Sequence, residues 1–137
     1  MIKRKNVLVI DDDPVFRLIT KKMLEKTGDL FNGFFVENGL EGINFLKRAG
    51  EGQQEASTLP DIVFLDIEMP IMNGWGFMDE FQKLPSEKVN KIHIYTVSSS
   101  IAPEDKMRAQ SFSQIKGYIS KPLTLNILKT IADAHTD

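Results

Sequence analysis

The fold is decided by a stretch near the start of the chain, Val7-Leu8-Val9-Ile10-Asp11-Asp12-Asp13, and by a later one that repeats its pattern, Ile62-Val63-Phe64-Leu65-Asp66. In each, a short apolar run rich in β-branched residues stops at aspartate. Such runs are typical of strands that are buried on both faces of a parallel sheet. The acidic residues therefore belong at the carboxyl ends of strands, which is where open α/β sheets bind ligands.

Three of these carboxylates, from Asp11, Asp12 and Asp66, are expected to converge at that edge. Two carboxylates about 4 Å apart repel by roughly 4 kcal/mol at an effective dielectric constant near 20. The site must therefore hold a cation, or one carboxyl group must keep its proton. Because a set of oxygen ligands favours a hard divalent ion, the sequence predicts Mg2+ as the cofactor.

Strand-like and helix-like segments alternate along the chain, which indicates an α/β fold: a doubly wound, five-stranded parallel sheet with helices on both faces. Five helices are predicted to accompany the five strands. The predicted strands cover residues 7–10, 34–36, 62–65, 92–97 and 118–120.

The first helix is expected to begin at Pro14, with Asp13 as its cap, and to stop near Gly28. Later helices are predicted from Trp75 to about Lys83, from Pro103, and after a cap at Thr124. Inward-facing positions are predicted in three helices: Val15, Leu18, Ile19 and Met23; Leu40, Ile43 and Leu46; and Leu125, Leu128 and Ala132. The polar residues 50–60 indicate a loop or a frayed helix end.

Composition limits the possible functions. With 137 residues, 42% of them hydrophobic, the chain fits one domain over residues 1–137, and no output domain is expected after it. The net charge of -2 gives no basic field for nucleic acid, and Lys3-Arg4-Lys5 is interpreted as a solvated terminus. Zero cysteines exclude disulfides and thiolate chemistry. A sequence with neither a signal-peptide core nor a membrane span favours a cytoplasmic location.

An aspartate at the end of a buried strand, beside a cation, can attack phosphorus and form an aspartyl phosphate. Asp66 is the candidate nucleophile. The transfer also needs positive charge on the moving phosphoryl group. Lys121 follows another strand and can supply that charge, while the Ser98 hydroxyl can donate a hydrogen bond to a phosphoryl oxygen.

Four motifs together make the chain resemble the receiver domains of two-component response regulators, in the stand-alone form of the chemotaxis regulators. The resemblance runs from about Asn6 to the end and implies a flavodoxin-like strand order of 2-1-3-4-5. The motifs are Val9-Ile10-Asp11-Asp12-Asp13-Pro14 through Arg17, Phe64-Leu65-Asp66-Ile67-Glu68-Met69-Pro70 through Gly74, Val97-Ser98-Ser99, and Tyr118-Ile119-Ser120-Lys121-Pro122.

The resemblance implies a role for each acidic candidate. Asp66 would be the phosphoacceptor as well as a metal ligand, and Asp12 would bind Mg2+ directly. Asp11 would act on the metal through water, and the backbone carbonyl of Glu68 would complete the protein's share of the coordination. The Glu68 side chain is a departure from the family. The resemblance implies that the side chain at this position faces the phosphoryl group, where an added negative charge could repel attacking water or disturb the metal.

The resemblance also implies a switch. Ser98 would be the switch hydroxyl, Lys121 the lysine that pairs with phosphate, and Tyr118 the switch aromatic. The peptide bond before Pro122 is expected to be cis and to aim Lys121 into the site. Thr96 competes with Ser98, since residues two apart share one strand face, but Ser98 is preferred because it ends the strand.

Each assignment has a structural alternative. Asp11, Asp12 and Asp13 could serve only as a helix cap, and Tyr118 could simply pack in its strand. Asn73, where many family members have aspartate, still suits a turn. His93 and His135 are interpreted as structural or solvated residues rather than as phosphorylated ones.

The leading hypothesis is a receiver that accepts a phosphoryl group on Asp66 from a sensor histidine kinase or a histidine phosphotransfer protein. The modified domain would change its affinity for an unidentified downstream protein through its fourth helix, last strand and last helix. Neither nucleic acid nor a membrane is expected as a direct partner. Beyond taking and losing its own phosphoryl group, the protein is not expected to be an enzyme.

Two alternatives remain at this stage. Asp66-Ile67-Glu68 faintly resembles the aspartate pair of haloacid-dehalogenase-like phosphatases, whose second acid is the general acid/base. That pair belongs on the first strand, however, and Pro70 occupies the place of its hydroxyl residue. The other alternative is a degenerate binding module that never accepts phosphate, whose usual sign is the loss of an acid or the lysine. Neither loss is seen.

Overall fold

Five parallel strands form the sheet on which the rest of the protein is built. The computed structural model describes residues 4–49, 59–100 and 102–135. The strands are β1 (Lys5–Ile10), β2 (Phe31–Val36), β3 (Ile62–Leu65), β4 (His93–Ser98) and β5 (Ile115–Ser120). Their order, β2-β1-β3-β4-β5, confirms the predicted topology. Ile10 of β1 pairs with Leu65 of β3, so the residues that follow them, Asp11 and Asp66, emerge side by side.

Six helices lie in the described part of the chain, one more than the sequence predicted. They are α1 (Pro14–Lys26), α2 (Gly39–Arg48), α3 (Gly74–Phe81), α4 (Ser86–Val89), α5 (Pro103–Gln110) and α6 (Leu125–Ala134). The unpredicted helix is α4, a single turn that buries Val89 and is too short to show a helical period. Among the described residues, no helix has both the length and the apolar character needed to cross a membrane.

The helices cover both faces of the sheet, as predicted. Leu8 of β1 belongs to a core with α2 and α3, whereas Val9, on the opposite face, belongs to a core with α1 and α6. The residues of β3 are at most 1% exposed. Since burying such a side chain contributes about 1.5–3 kcal/mol, β1 and β3 form a rigid frame. The acidic residues therefore follow two runs, residues 7–10 and 62–65, that are almost completely buried.

The inward face of α1 differs from the prediction. Three of the four residues expected to be buried are half or more exposed: Val15, Leu18 and Ile19. The helix instead turns Phe16, Thr20 and Leu24 toward the sheet, a stripe spaced four residues apart. Both faces of α1 contain apolar residues, so the helical period alone does not decide which face is buried. In the observed orientation Arg17 Nη1 donates a hydrogen bond of 2.8 Å to the Asp11 carbonyl, which joins the helix to the preceding loop.

Smaller differences have local causes. Leu40 was expected to be buried but is 42% exposed, because Gly39 rather than Leu40 meets the Met72 loop, with its N–H donating to the Met72 carbonyl at 2.9 Å. β2 and β5 each begin three residues earlier than predicted, where polar residues and glycine interrupt the apolar pattern. α3 ends at Phe81 rather than near Lys83. Most of the loop predicted over residues 50–60 lies outside the described residues.

Two histidines meet at the amino-terminal end of the sheet, far from the acidic residues. The ring centroids of His93 and His135 are 4.5 Å apart in an edge-to-face arrangement. His135 Nε2 also lies 2.9 Å from the hydroxyl of Tyr95 on β4. These contacts attach the end of α6 to the sheet and support the structural role expected of both histidines.

His135→Gln is expected to make folding less sensitive to acid. Burial, the His93 ring and the Lys5 ammonium lower the pKa of His135 below 6.5, against an opposing effect of Asp61. Because the unfolded chain takes up this proton more readily, stability is lost as the pH falls below about 6.5. Urea unfolding should therefore show a larger loss of unfolding free energy in the wild type than in the variant between about pH 7.5 and pH 5.

The difference between the two proteins is the quantity to compare. The pKa of Asp66 is raised to about 7, so Asp66 binds protons more readily in the folded state and acts in the opposite direction over this range. That contribution is common to both proteins and cancels. Identical pH slopes in the two proteins would contradict the prediction.

Candidate functional site

The acidic residues predicted to converge do so at the carboxyl edge of the sheet. One carboxylate oxygen from each of Asp11, Asp12 and Asp66 lies within 4.8 Å of the others. Asp11 and Asp66 are buried, at 1% and 7% exposure, whereas Asp12 faces solvent. The cluster is thus built on the sheet and open on one side.

The loop after β1 is organised around Asp11. Its Oδ1 accepts a hydrogen bond of 2.9 Å from the Asp13 N–H, and the Asp13 side chain in turn caps α1 through the Val15 N–H. Arg17 binds the Asp11 carbonyl, and its other guanidinium nitrogen lies 3.6 Å from Glu37. This role of Arg17 was missed in the sequence, although Arg17 closes the first quoted motif and lies in the first turn of α1. The loop therefore leaves Asp11 Oδ2 directed into the site.

Lys121 brings positive charge to the acidic cluster. Its Nζ lies 2.9 Å from Asp11 Oδ2 and 3.8 Å from Asp66 Oδ2, so it is shared between two carboxylates. The Lys121–Pro122 peptide bond is cis, as predicted. The Lys121 N–H donates to the Ser98 carbonyl at 2.9 Å, which joins the end of β5 to the end of β4.

Asp66 is an unusually basic carboxylate. Burial first, and then the charge of Asp11 and more weakly that of Asp12, raise its pKa from 3.8 to about 7. Lys121 and the N–H of Ile67 oppose this shift but do not cancel it. One ammonium is therefore too little positive charge for three carboxylates at neutral pH.

The residues present fit a hard divalent cation. Asp11 Oδ2 is buried, and among the described residues no donor reaches it in hydrogen-bonding geometry, although the Lys121 ammonium is close enough to form an ion pair. This buried carboxylate oxygen and the carboxylates of Asp12 and Asp66 together form the oxygen-rich surroundings that Mg2+ prefers. Glu68, two residues after Asp66, has an exposed side chain.

The loop after Asp66 holds the carboxylate in one orientation. Asp66 Oδ1 accepts a hydrogen bond of 2.9 Å from the Ile67 N–H, which leaves Oδ2 as the oxygen that faces Lys121. Gly74, at the start of α3, packs directly on this segment: a Cβ there would lie 2.6 Å from the Asp66 carbonyl oxygen. Only glycine allows the helix to come so close.

The two candidate switch hydroxyls lie in different surroundings. Thr96 pairs with Leu65 in the sheet, and its Oγ1 donates a long hydrogen bond of 3.4 Å to the Gly117 carbonyl of β5. Ser98 lies two residues further along, at the edge where Asp66 emerges, and its Oγ accepts a 3.0 Å hydrogen bond from the Ser100 N–H. The assignment of Ser98 as the switch hydroxyl stays a prediction.

Ser100, which the sequence analysis did not single out, connects the predicted switch residues. Its carbonyl accepts a hydrogen bond of 3.1 Å from the Tyr118 hydroxyl. Its own hydroxyl donates to Asp105 of α5 at 2.6 Å and accepts from the Ala102 N–H at 3.2 Å. Together with the bond to Ser98, every polar group of Ser100 is engaged. Only the spacing of a serine five residues before an acidic residue in the next helix could have indicated this role.

Comparisons with known proteins show which family this chain resembles. The protein-family model described as the response regulator receiver domain matches residues 7–133. The chain is 34% identical to the sensor histidine kinase CheAY of Helicobacter pylori over 91% of its length, although it spans 14% of that protein. It is 29% identical to the chemotaxis protein CheY of Halobacterium salinarum, covering 96% of this chain and 98% of that one.

Solved structures give the same result. A two-component response regulator from Cytophaga hutchinsonii is 30% identical, with a TM-score of 0.84 and 96% of both chains covered. The receiver domain of the sensor histidine kinase PA1611 from Pseudomonas aeruginosa PAO1 shares the fold, with a TM-score of 0.76 at 18% identity and 96% of both chains covered. That structure has a magnesium ion coordinated in its active-site cleft.

Proposed function

This chain belongs to the response regulator receiver domains of two-component signalling, and we propose that Asp66 is the residue on which it accepts a phosphoryl group. Receiver domains obtain that group from histidine kinases. The donor for this chain would be a sensor histidine kinase or a histidine phosphotransfer protein. The observation that carries the proposal is a buried, basic carboxylate, Asp66, lying between two further acids and 3.8 Å from the Lys121 ammonium.

The chemistry follows from the orientation of Asp66. Because Oδ1 accepts the Ile67 N–H, Oδ2 is the oxygen free to attack phosphorus. A phosphorus–oxygen bond would form at Oδ2 as the phosphorus–nitrogen bond of a donor phosphohistidine breaks, and the imidazole nitrogen would take the electron pair. Lys121, already close to Oδ2, would bind the phosphoryl oxygens.

Asp12, Asp66 and the Glu68 carbonyl are proposed to hold Mg2+ directly, with Asp11 acting through water. Bound Mg2+ supplies positive charge to the transferring phosphoryl group. The convergence of the three carboxylates, the pKa of Asp66 and the magnesium ion reported in the PA1611 receiver support this assignment. Lowering the repulsion around Asp66 also favours its deprotonated, nucleophilic form.

The exposed face of α1 supports a protein as the donor. Val15, Leu18 and Ile19 lie on one face of the helix that starts beside the acidic loop. Apolar side chains that remain exposed next to a reactive site are typical of protein contacts. A donor protein that covers this face would bring its phosphohistidine to the open side of the cluster.

Phosphorylation is proposed to act on α5 through Ser98 and Ser100. If the Ser98 hydroxyl turns toward a phosphoryl group on Asp66, the Ser100 N–H loses its hydrogen-bond acceptor. Ser100 is also hydrogen-bonded to Asp105 and to the Tyr118 hydroxyl, so these two contacts would change with it. Within residues 103–110 only Ala109 is buried, so α5 depends on such polar contacts. The surface formed by α5, β5 and α6 would then change its affinity for a separate downstream protein.

The two alternatives receive less support. Asp66 follows β3 rather than β1, and the exposed Glu68 side chain is not held as a general acid. A degenerate receiver would lack an acid or the lysine, whereas all are present and close together. We therefore propose no enzymatic activity beyond self-phosphotransfer and autodephosphorylation. A stand-alone arrangement and a cytoplasmic location stay predictions.

Asp66→Asn is expected to abolish covalent phosphorylation while leaving the fold intact, since the amide and the carboxylate are nearly the same size. Mg2+ and acetyl phosphate should label the wild type at one site, detected by mass spectrometry and lost on treatment with hydroxylamine. Asp79→Asn, which alters an exposed aspartate of α3, is the matched control and should label normally. Label retained in Asp66→Asn would refute the aspartyl-phosphate mechanism.

Asp12→Asn is expected to weaken Mg2+ binding more than Asp11→Asn, because only Asp12 is proposed as a direct ligand. Loss of a residue that acts through water lowers affinity by roughly ten- to a hundredfold, and loss of a direct ligand should cost more. The fluorescence of Trp75, buried at the start of α3, reports the titration. Asp13→Asn keeps a helix cap and should bind as the wild type does. Equal affinities of Asp11→Asn and Asp12→Asn would overturn the assignment.

Ser98→Ala and Lys121→Ala are expected to separate phosphoryl binding from response, because a ligand shifts two states only by its differential affinity for them. Hydrogen exchange over residues 102–111 and 118–134, with and without beryllofluoride, measures the response. The wild type should change in these segments, and both variants should change much less. Ser99→Ala, at an exposed neighbour, is the control. Full responses in both variants would exclude this relay and direct attention to Thr96 and Glu68.

A further inference from the structure

Phe16 presents the face of its ring to the ammonium of Lys121. The Nζ atom lies 4.4 Å from the ring centroid. This is within the range of about 6 Å in which an aromatic face attracts a cation. Phe16 comes from the first turn of α1 and Lys121 from the end of β5, so the contact joins two segments that are distant in sequence.

The ammonium therefore lies between one aromatic face and two carboxylates. It is 2.9 Å from Asp11 Oδ2 and 3.8 Å from Asp66 Oδ2, and the Lys121 side chain is 20% exposed. The present arrangement favours Asp11. To bind a phosphoryl group on Asp66, the ammonium must shift from the first carboxylate toward the second.

The position of the ring is fixed by the same residues that fix the acidic loop. Asp13 caps α1, and Arg17, the neighbour of Phe16, donates to the Asp11 carbonyl. The ring also packs against the core between α1 and the sheet. These contacts therefore hold Phe16 and Asp11 at a fixed distance from each other. The ring provides a fixed aromatic surface beside the long Lys121 side chain.

An aromatic face suits this place for a physical reason. It attracts the cation without accepting an N–H in the way that a carboxylate does, so the three ammonium donors stay available to oxygen. A carboxylate here would compete with the phosphoryl group, and an aliphatic side chain would fill the space without attracting the charge. The attraction also persists as the ammonium moves across the face.

We propose that Phe16 is a positioning residue for phosphoryl acceptance: its ring keeps the Lys121 ammonium within reach of Asp66 during the shift from Asp11. Phe16 acts through Lys121 and does not touch the phosphoryl group. The inference rests on the proposed function of Asp66 and adds a residue to that site. Phe16 thereby has a second role besides packing α1 onto the sheet.

The test compares rates of Asp66 labelling by acetyl phosphate with Mg2+. Phe16→Leu keeps an apolar side chain but removes the ring, and it should label about three- to thirtyfold more slowly. Phe16→Tyr keeps the ring face and should label close to the wild-type rate. Ile131→Val, in the same core on α6, loses packing without touching Lys121 and should also label normally.

Proton NMR provides an independent readout in the wild-type protein. The ε-methylene protons of Lys121 should be shifted upfield by the Phe16 ring current, and this shift should vanish in Phe16→Leu. If the ε-methylene protons of Lys121 in the wild type have the chemical shifts of a solvent-exposed lysine, the proposal is overturned, even if Phe16→Leu does not fold. Labelling of Phe16→Leu at the wild-type rate, or an equal loss in Phe16→Tyr, would also overturn it. An unlabelled wild type would instead refute the role of Asp66.

Discussion

Mutual repulsion among three carboxylates governs the rest of this structure. The parallel sheet brings these carboxylates together, because the adjacent strands β1 and β3 are each followed directly by aspartate. Burial and, after it, the charge of Asp11 raise the pKa of Asp66 to about 7, and the Lys121 ammonium opposes this shift only in part. The stabilisation from the apolar residues buried beneath the site offsets the free-energy cost of this repulsion. A site with three carboxylates and one ammonium favours the binding of a cation. The proposed cation would in turn favour the binding of a phosphoryl group.

Rigid and weakly held parts of the molecule are sharply separated. β1 and β3 are buried on both faces and carry the acids. α5 buries one residue, Ala109, which packs with Ile67 and Trp75. The hydrogen bond from Ser100 to Asp105 and the Arg108 guanidinium, 4.9 Å from the Trp75 ring centroid, also attach this helix. A charge change at the site would therefore meet less resistance at α5 than at the central strands. The direction of the proposed response follows from this contrast.

The sequence predicted what depends on local pattern. Apolar runs ending in aspartate located the acidic cluster, and the strand order confirmed the fold. The predictions that failed concern side-chain contacts that no local pattern in the sequence reveals. Both faces of α1 contain apolar residues, so its helical period did not reveal which face is buried, and the contact of Arg17 with Asp11 accompanies the observed orientation. The place of Ser100 likewise depends on the meeting of β4, β5 and α5 in space.

The thin attachment of α5 has a thermodynamic counterpart. If phosphorylation at one end of the sheet changes the affinity of the α5 surface for a downstream protein, linkage requires the reverse effect to have the same size. A partner that prefers the rearranged surface must raise the affinity of the acidic site for a phosphoryl mimic by the same factor. Occupancy of the acidic site and occupancy of the α5 surface then affect each other equally. The abundance of the downstream protein therefore becomes one of the inputs to the signal.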